Sequence, residues 1–129
     1  MEVYEKQILV SKPDLDELEH VNNVQYVQWI QDIAKEHWNK NVTDEIASSY
    51  FWVVVNHFIE YKSEAVLGDQ ILIKTFVTES EGVTSTRHVE MYHEHTERLI
   101  VKAKTVWCLM DSMRKRPARI PDSIKTLFD

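Results

Sequence analysis

The densest run of reactive side chains is Asp14-Leu15-Asp16-Glu17-Leu18-Glu19-His20-Val21-Asn22-Asn23-Val24-Gln25-Tyr26-Val27-Gln28-Trp29. Two asparagines, a histidine and several carboxylates gather there, immediately ahead of a helical pattern. The start of a helix offers backbone N–H groups with no intrahelical acceptor and the positive end of the macrodipole, so the junction favours an oxyanion. Capping and solubility are the competing explanation for polar residues at a helix start, but a cap needs only one of the two asparagines.

Other candidates are weaker. Arg114, Lys115, Arg116 and Arg119 cluster in a segment poor in acid. They read as a solvated loop before a short terminal helix or, functionally, as a grip on phosphate. His93 and His95 share a strand face by period-two spacing, yet no third ligand is spaced to join them, so no metal site is expected. His57 lies in an apolar run and reads as a hydrogen-bonded core residue, while His37 continues a helix face beside Trp38. Tyr26 and Trp29 are wall residues of a pocket or, more ordinarily, core.

The elements that must position these groups follow from periodicity. Tyr4 to Val10 reads as a strand, and Ser11-Lys12-Pro13-Asp14 as a break, since proline lacks a donor and disfavours helix before it. From Asn22 or Asn23 onward, Tyr26, Val27, Ile30, Ile33, Ala34, His37 and Trp38 recur at three- and four-residue spacing, which predicts an amphipathic helix. A short helix is expected near Asp44 to Ser49. The aromatic and β-branched run Phe51 to Tyr61 predicts a strand, nearly apolar on both faces, followed by strands at Gln70–Thr78, Thr84–Glu94 and Leu99–Met110. Strand, long helix, then four strands on short turns excludes a doubly wound parallel sheet. It predicts an α+β domain over residues 1–129, a curved antiparallel sheet wrapped around one long central helix.

Composition sets the bounds. A chain of 129 residues with 43% hydrophobic and 28% charged residues suits one globular core. Acidic residues outnumber basic ones, 21 to 15, which leaves broad attraction to nucleic acid without a basis. The uncharged stretch Ile46–Ile59 is too short to span a membrane, and the opening Met1-Glu2-Val3-Tyr4-Glu5-Lys6 lacks the order of a signal peptide, so a soluble cytoplasmic protein is expected. The lone Cys108 cannot form an internal disulfide. One helix covers only part of such a sheet and exposed strand edges invite pairing, which makes a homodimer the physical expectation.

The run from Asp14 to Trp29 resembles the Asp-Leu-Asp, His-Val-Asn-Asn, Tyr, Trp signature of hotdog-fold acyl-thioester hydrolases. It is similar to plant acyl-acyl-carrier-protein thioesterases and to the 4-hydroxybenzoyl-CoA thioesterase superfamily. Ile59-Glu60-Tyr61-Lys62 followed by Gly68-Asp69 resembles the second strand and turn of the same group. The plant enzymes carry two such halves and this chain one, which implies a dimer, or a tetramer built from dimers. The resemblance implies that Asp16 attacks the thioester or activates water, that the Asn23 backbone N–H polarises the carbonyl, that His20 belongs to the surrounding polar network, and that Glu60 is a base or orients water. The plant pattern has asparagine where this chain has Leu18, so the network must differ there.

The implied activity is hydrolysis of an acyl-CoA or acyl-carrier-protein thioester to free acid and thiol. Coenzyme A or phosphopantetheine enters as part of the substrate, and no separate cofactor is required. The cationic candidates Arg87, Arg114, Lys115, Arg116 and Arg119 would then meet the carrier's phosphates and Tyr26 the acyl group. A noncatalytic acyl-thioester-binding module and a hotdog dehydratase are the alternatives.

Overall fold

The computed structural model describes all residues from Met1 to Asp129. Strand β1 (Tyr4–Leu9) leads through a 3-10 turn at Lys12–Asp14 into the long helix α1 (Asn23–Asn41) and the short helix α2 (Asp44–Ser49). Strands β2 (Tyr50–Tyr61), β3 (Gln70–Glu81), β4 (Thr84–His93) and β5 (Leu99–Asp111) follow, then a two-residue strand β6 (Arg116–Pro117) and helix α3 (Asp122–Lys125). The sheet is antiparallel in the order β1-β3-β4-β5-β2, with β6 added beside β5. No helix is long and apolar enough to cross a membrane.

Helix α1 buries Tyr26, Ile30, Ile33, Ala34 and His37 of the face its periodicity predicts and adds Trp29 to them, whereas Val27 and Trp38 are half-buried. Asn22 rather than Asn23 caps it, its side chain accepting from the Val24 N–H at 2.9 Å. Against that face stand Ile71 and Ile73 of β3, Val89 and Met91 of β4, and Val101 and Ala103 of β5, which form one core cluster with Tyr26, Trp29, Ile30 and Ile33. The sheet thus curls around α1 as a half-barrel, because both apolar faces are buried by the same contact. A smaller cluster of Leu109, Ile120 and Ile124, flanked by Trp38 and Trp52, closes the far end.

Two irregularities set which side chains face the helix. In β2 the register against β5 shifts between Val54 and Asn56, leaving Val55 as an extra residue. Before it, Trp52 and Val54 are the less exposed positions; after it, His57 and Ile59 are. β3 runs past the expected Thr78 to Glu81 because a similar shift at Val77/Glu79 lets pairing with β4 continue.

The interior is not wholly apolar. Arg87, 6% exposed, donates from Nη1 to His37 Nδ1 at 2.8 Å and to Thr75 Oγ1 at 3.2 Å. His37, fully buried, reaches Glu2 Oε1 through Nε2 at 2.7 Å. These contacts fix one tautomer, with Nε2–H donating to the carboxylate and Nδ1 accepting from the guanidinium. Burial holds His37 below the ordinary imidazole value despite the opposing hydrogen bond it donates to Glu2, and burial does the same to His57 and His88. A base depressed in the folded state stabilises it above the unfolded value, about 6.5, and loses that contribution as pH falls. Glu2 is also lowered, first by Asn41 and then by His37, and adds a loss of the same sign at lower pH. The melting temperature is therefore expected to fall between pH 7.5 and 5.5. A melting curve that stays flat or rises over that range would contradict this network.

Candidate active site

Residues 16–20 form a tight turn ahead of α1. The Asp16 N–H donates to His20 O at 2.8 Å, Leu15 bridges Val21, and Glu19 takes a left-handed φ of 64° to close the loop. Within it Asp16 Oδ1 accepts from the backbone N–H groups of Leu18 at 2.9 Å and His20 at 3.1 Å. Both contacts use one oxygen, so Oδ2 keeps its lone pairs for a ligand. Leu18, at the position where the resemblance expects asparagine, contributes only its amide; its side chain is 71% exposed.

The chain then enters the helix. The Asn22 N–H donates to Asp14 O at 2.9 Å, and the amides of Val24, Gln25 and Tyr26 all find acceptors on Asn22. The Asn23 N–H has no acceptor in the protein. It is the one amide of this first turn left over, at the positive end of a 19-residue helix.

Asp16, His20, Val21, Asn23 and Tyr26 line one cleft of about 380 Å³, completed by Tyr61, Lys62, Ser63 and Glu64 from the end of β2 and the loop beyond. His20 Nε2 lies 3.3 Å from Glu64 Oε2. Tyr26 is 3% exposed, and burial pushes its phenol up to about 12. Its ring serves as a wall beside Tyr61, whose ring centroid is 5.9 Å away.

Glu60 does not line this cleft. Ile59 packs on the core, so alternation turns the next side chain to the outer face, opposite Lys102 of β5. There Glu60 bonds Lys62 Nζ at 2.9 Å, and that lysine holds its carboxyl below the usual range. Glu64, not singled out by the sequence, is the glutamate that the fold brings to His20. Arg98 is a further basic side chain nearby, donating to Glu64 O at 3.1 Å.

The cationic candidates separate. Arg114, Lys115, Arg116 and Arg119 are exposed, as the loop reading expects, and they follow β5 at the end of the sheet where Tyr50 pairs Asp111. Tyr61 lies eleven positions beyond Tyr50 along β2, roughly 35 Å for an extended strand, so within one chain the four cations are remote from the cleft. Arg87 is buried and stands apart from them. His93 ends β4 beside Asp69, at 3.4 Å, and His95 lies in the following turn. No group of three or more His, Cys, Asp or Glu is placed to hold a metal ion. His57 bonds Thr105 Oγ1 at 2.8 Å through Nδ1, and Cys108 is buried in β5.

Residues 10–128 match the family model of the thioesterase-like superfamily. The chain belongs to that superfamily. This thioesterase-like chain is 30% identical over 74 residues to the chloroplastic acyl-[acyl-carrier-protein] hydrolase FATB3 of Cuphea viscosissima; the match covers 57% of the chain but only 18% of that relative. Its fold superposes on a 1,4-dihydroxy-2-naphthoyl-CoA thioesterase from Synechocystis with a TM-score of 0.84 and 16% identity, covering 98% of this chain and 95% of that one. The probable thioesterase YbaW of Escherichia coli gives 0.87 and 20%, covering 97% and 98%. The 12:0-ACP thioesterase of Umbellularia californica gives 0.84 and 15%, and there the chain covers 54% of the longer protein. The thioesterase-like chain therefore has the hotdog fold, as its antiparallel sheet and single long helix already indicate.

Proposed function

We propose that the protein hydrolyses an acyl thioester, carried by coenzyme A or by acyl carrier protein, to a carboxylic acid and a thiol. The observation that carries this reading is the pairing, in one cleft, of an unpartnered helix-start amide at Asn23 with the free Oδ2 of Asp16. A thioester carbonyl oxygen directed at the Asn23 N–H gains a donor where its negative charge develops. Asp16 Oδ2 then takes a proton from water as it attacks the carbonyl carbon, or attacks that carbon itself. On the water route, collapse of the tetrahedral species breaks the C–S bond and the departing thiolate recovers that proton; on the direct route, the thiolate leaves an anhydride on Asp16, and the water that hydrolyses it releases the acid, restores the carboxylate and supplies the thiolate's proton. His20, paired with Glu64, supports the polar wall. No metal or redox cofactor enters these steps.

The same reading includes a homodimer. β2 ends the sheet with an unpaired edge of 12 residues bearing exposed Phe51, Val53, Val55, Phe58 and Tyr61, a surface that draws another strand. Antiparallel pairing of two β2 edges would bring Arg114, Lys115, Arg116 and Arg119 of one copy toward the cleft of the other. The carrier's phosphates would then meet cations that a single chain holds far away.

A thiol-release screen across short, long and aromatic acyl-CoAs and acyl carrier protein conjugates tests the activity, with the mass in solution read by sedimentation on the same preparation. Stoichiometric thiol and acid from at least one ester, at twice the 15.3 kDa chain mass, is the expected result. Acyl-CoA binding with no thiol over hours would make the protein a binding module, and enoyl product from a 3-hydroxyacyl thioester without thiol would make it a dehydratase. A monomer mass would remove the β2 pairing.

A further inference from the structure

A second cavity, of about 520 Å³, lies farther along α1, between that helix, α2 and the inner faces of β2 to β5. Its walls include Trp38, Trp52, Phe128 and Trp107, and Arg87 reaches it from β4. Register places Ser85 opposite Trp107 and Arg87 opposite Thr105, so these residues share the concave face.

Arg87 is an unusual residue to find there. It is 94% buried, and no carboxylate touches it. Its contacts are a neutral histidine nitrogen, a threonine hydroxyl and the Phe128 ring, whose centroid is 5.1 Å from Cζ. A guanidinium withdrawn from water without a counter-charge is costly, and burial alone lowers its pKa to about 10. Both protein hydrogen bonds use Nη1. Nε and Nη2 have no protein acceptor, yet neither is sealed in, for the fully enclosed orphan atoms are His57 Nε2 and Trp107 Nε1. Nε and Nη2 are the two nitrogens of the side-on fork that receives a carboxylate through parallel N–H···O bonds. Trp107 adds a buried indole N–H without a partner on the same cavity wall.

We propose that this cavity binds an otherwise apolar ligand ending in a carboxylate, which Arg87 holds side-on through Nε and Nη2. The aromatic walls take the tail. The charges lining the cavity are Arg87, the rim residue Lys35, and Asp32, which accepts from Gln28 Nε2 at 2.8 Å. Two cations against one carboxylate leave room for a single negative charge, which favours a monoanion over a phosphate dianion. Such a carboxylate has two sources: the free acid itself, or the far end of a dicarboxylic acyl thioester whose carbonyl sits at Asn23. The second source rests on the hydrolase reading and the first does not. Ala34, on the cavity wall, lies eleven positions beyond Asn23 in α1, roughly 16 Å along the helix.

The test uses decanoate, decanol, decanoyl-CoA and the mono-CoA ester of decanedioic acid, with tryptophan fluorescence for binding and thiol release for turnover. Decanoate should bind at least about tenfold more tightly than decanol, as a charge-assisted hydrogen bond implies. Arg87→Met should abolish that difference while leaving decanol affinity unchanged. Should Arg87→Met fail to fold, Ala47→Trp at the exposed rim should block both ligands while leaving the buried network untouched. A preference for the decanedioic ester over decanoyl-CoA, lost in Arg87→Met, assigns the carboxylate to the acyl end; decanoate binding without that preference assigns it to the free acid. Equal affinity for decanoate and decanol, or decanoate binding indifferent to both substitutions, overturns the proposal. Absence of thiol release from every ester would defeat the hydrolase reading and leave the acid arm readable.

Discussion

Asp16→Asn is expected to lower kcat/KM for thioester hydrolysis by at least about a hundredfold, the contribution of a positioned acid–base group. The substitution is informative because of how the turn is built. Oδ1 accepts the Leu18 and His20 amides, and an asparagine oxygen can keep accepting both, so the loop and the entry to α1 persist. What disappears is the charge on Oδ2, and both roles open to Asp16 require it. Steady-state kinetics on the best ester from the thiol-release screen, with circular dichroism to show that the fold is retained, checks this. Full turnover in a folded Asp16→Asn protein would remove Asp16 from the reaction. Asp16→Ala should lose activity as well, and also some stability, since it orphans two amides at about 1 kcal/mol each.

Ile33→Ala is expected to cost about 2–5 kcal/mol of folding stability, the largest effect of any single truncation considered. Ile33 is fully buried on the face of α1 that fills the half-barrel, within the cluster formed by Ile71, Ile73, Val89 and Met91. The sheet surrounds it, so relaxation around the lost methylenes is limited and a cavity remains. Urea denaturation should show a lower midpoint with an unchanged slope, whereas Gln31→Ala, on the exposed face two residues earlier, should shift stability by no more than about 0.5 kcal/mol. Equal effects at the two positions would contradict the placement of the core. Because α1 also carries Asn23, its docking on the sheet fixes the amide on which the proposed chemistry depends.

The sequence shows α1 and its buried face because a 3.6-residue repeat is sustained from Tyr26 to His37. The short turns between β2 and β5 are similarly visible, and so is the crowding of Asp16, His20 and Asn23 at the helix start. The face of Glu60 is not. The run Phe51–Tyr61 is apolar on both faces and carries no alternation from which to detect the extra residue at Val55. That residue reverses the phase of everything after it, turning Tyr61 toward Tyr26 and Glu60 away. Glu64 escapes notice because it lies in a loop without periodicity and meets His20 only through the fold. The Glu2, His37 and Arg87 network is likewise illegible, joining residues 35 and 50 positions apart. Arg87 reads as one more strand cation until the structure shows it buried, with His37 and Thr75 as its hydrogen-bond partners.

The central claim is that the thioester carbonyl lies between the Asn23 amide and the Asp16 side chain. A crystal structure of the Asp16→Asn protein with an acyl-CoA ketone analogue, the thioester sulfur replaced by methylene, tests it most directly. The expected result places the ketone oxygen about 2.7–3.1 Å from the Asn23 nitrogen, with the carbonyl carbon facing the substituted side chain. A carbonyl bound elsewhere in a fully occupied complex, with that amide left to solvent, would contradict the account.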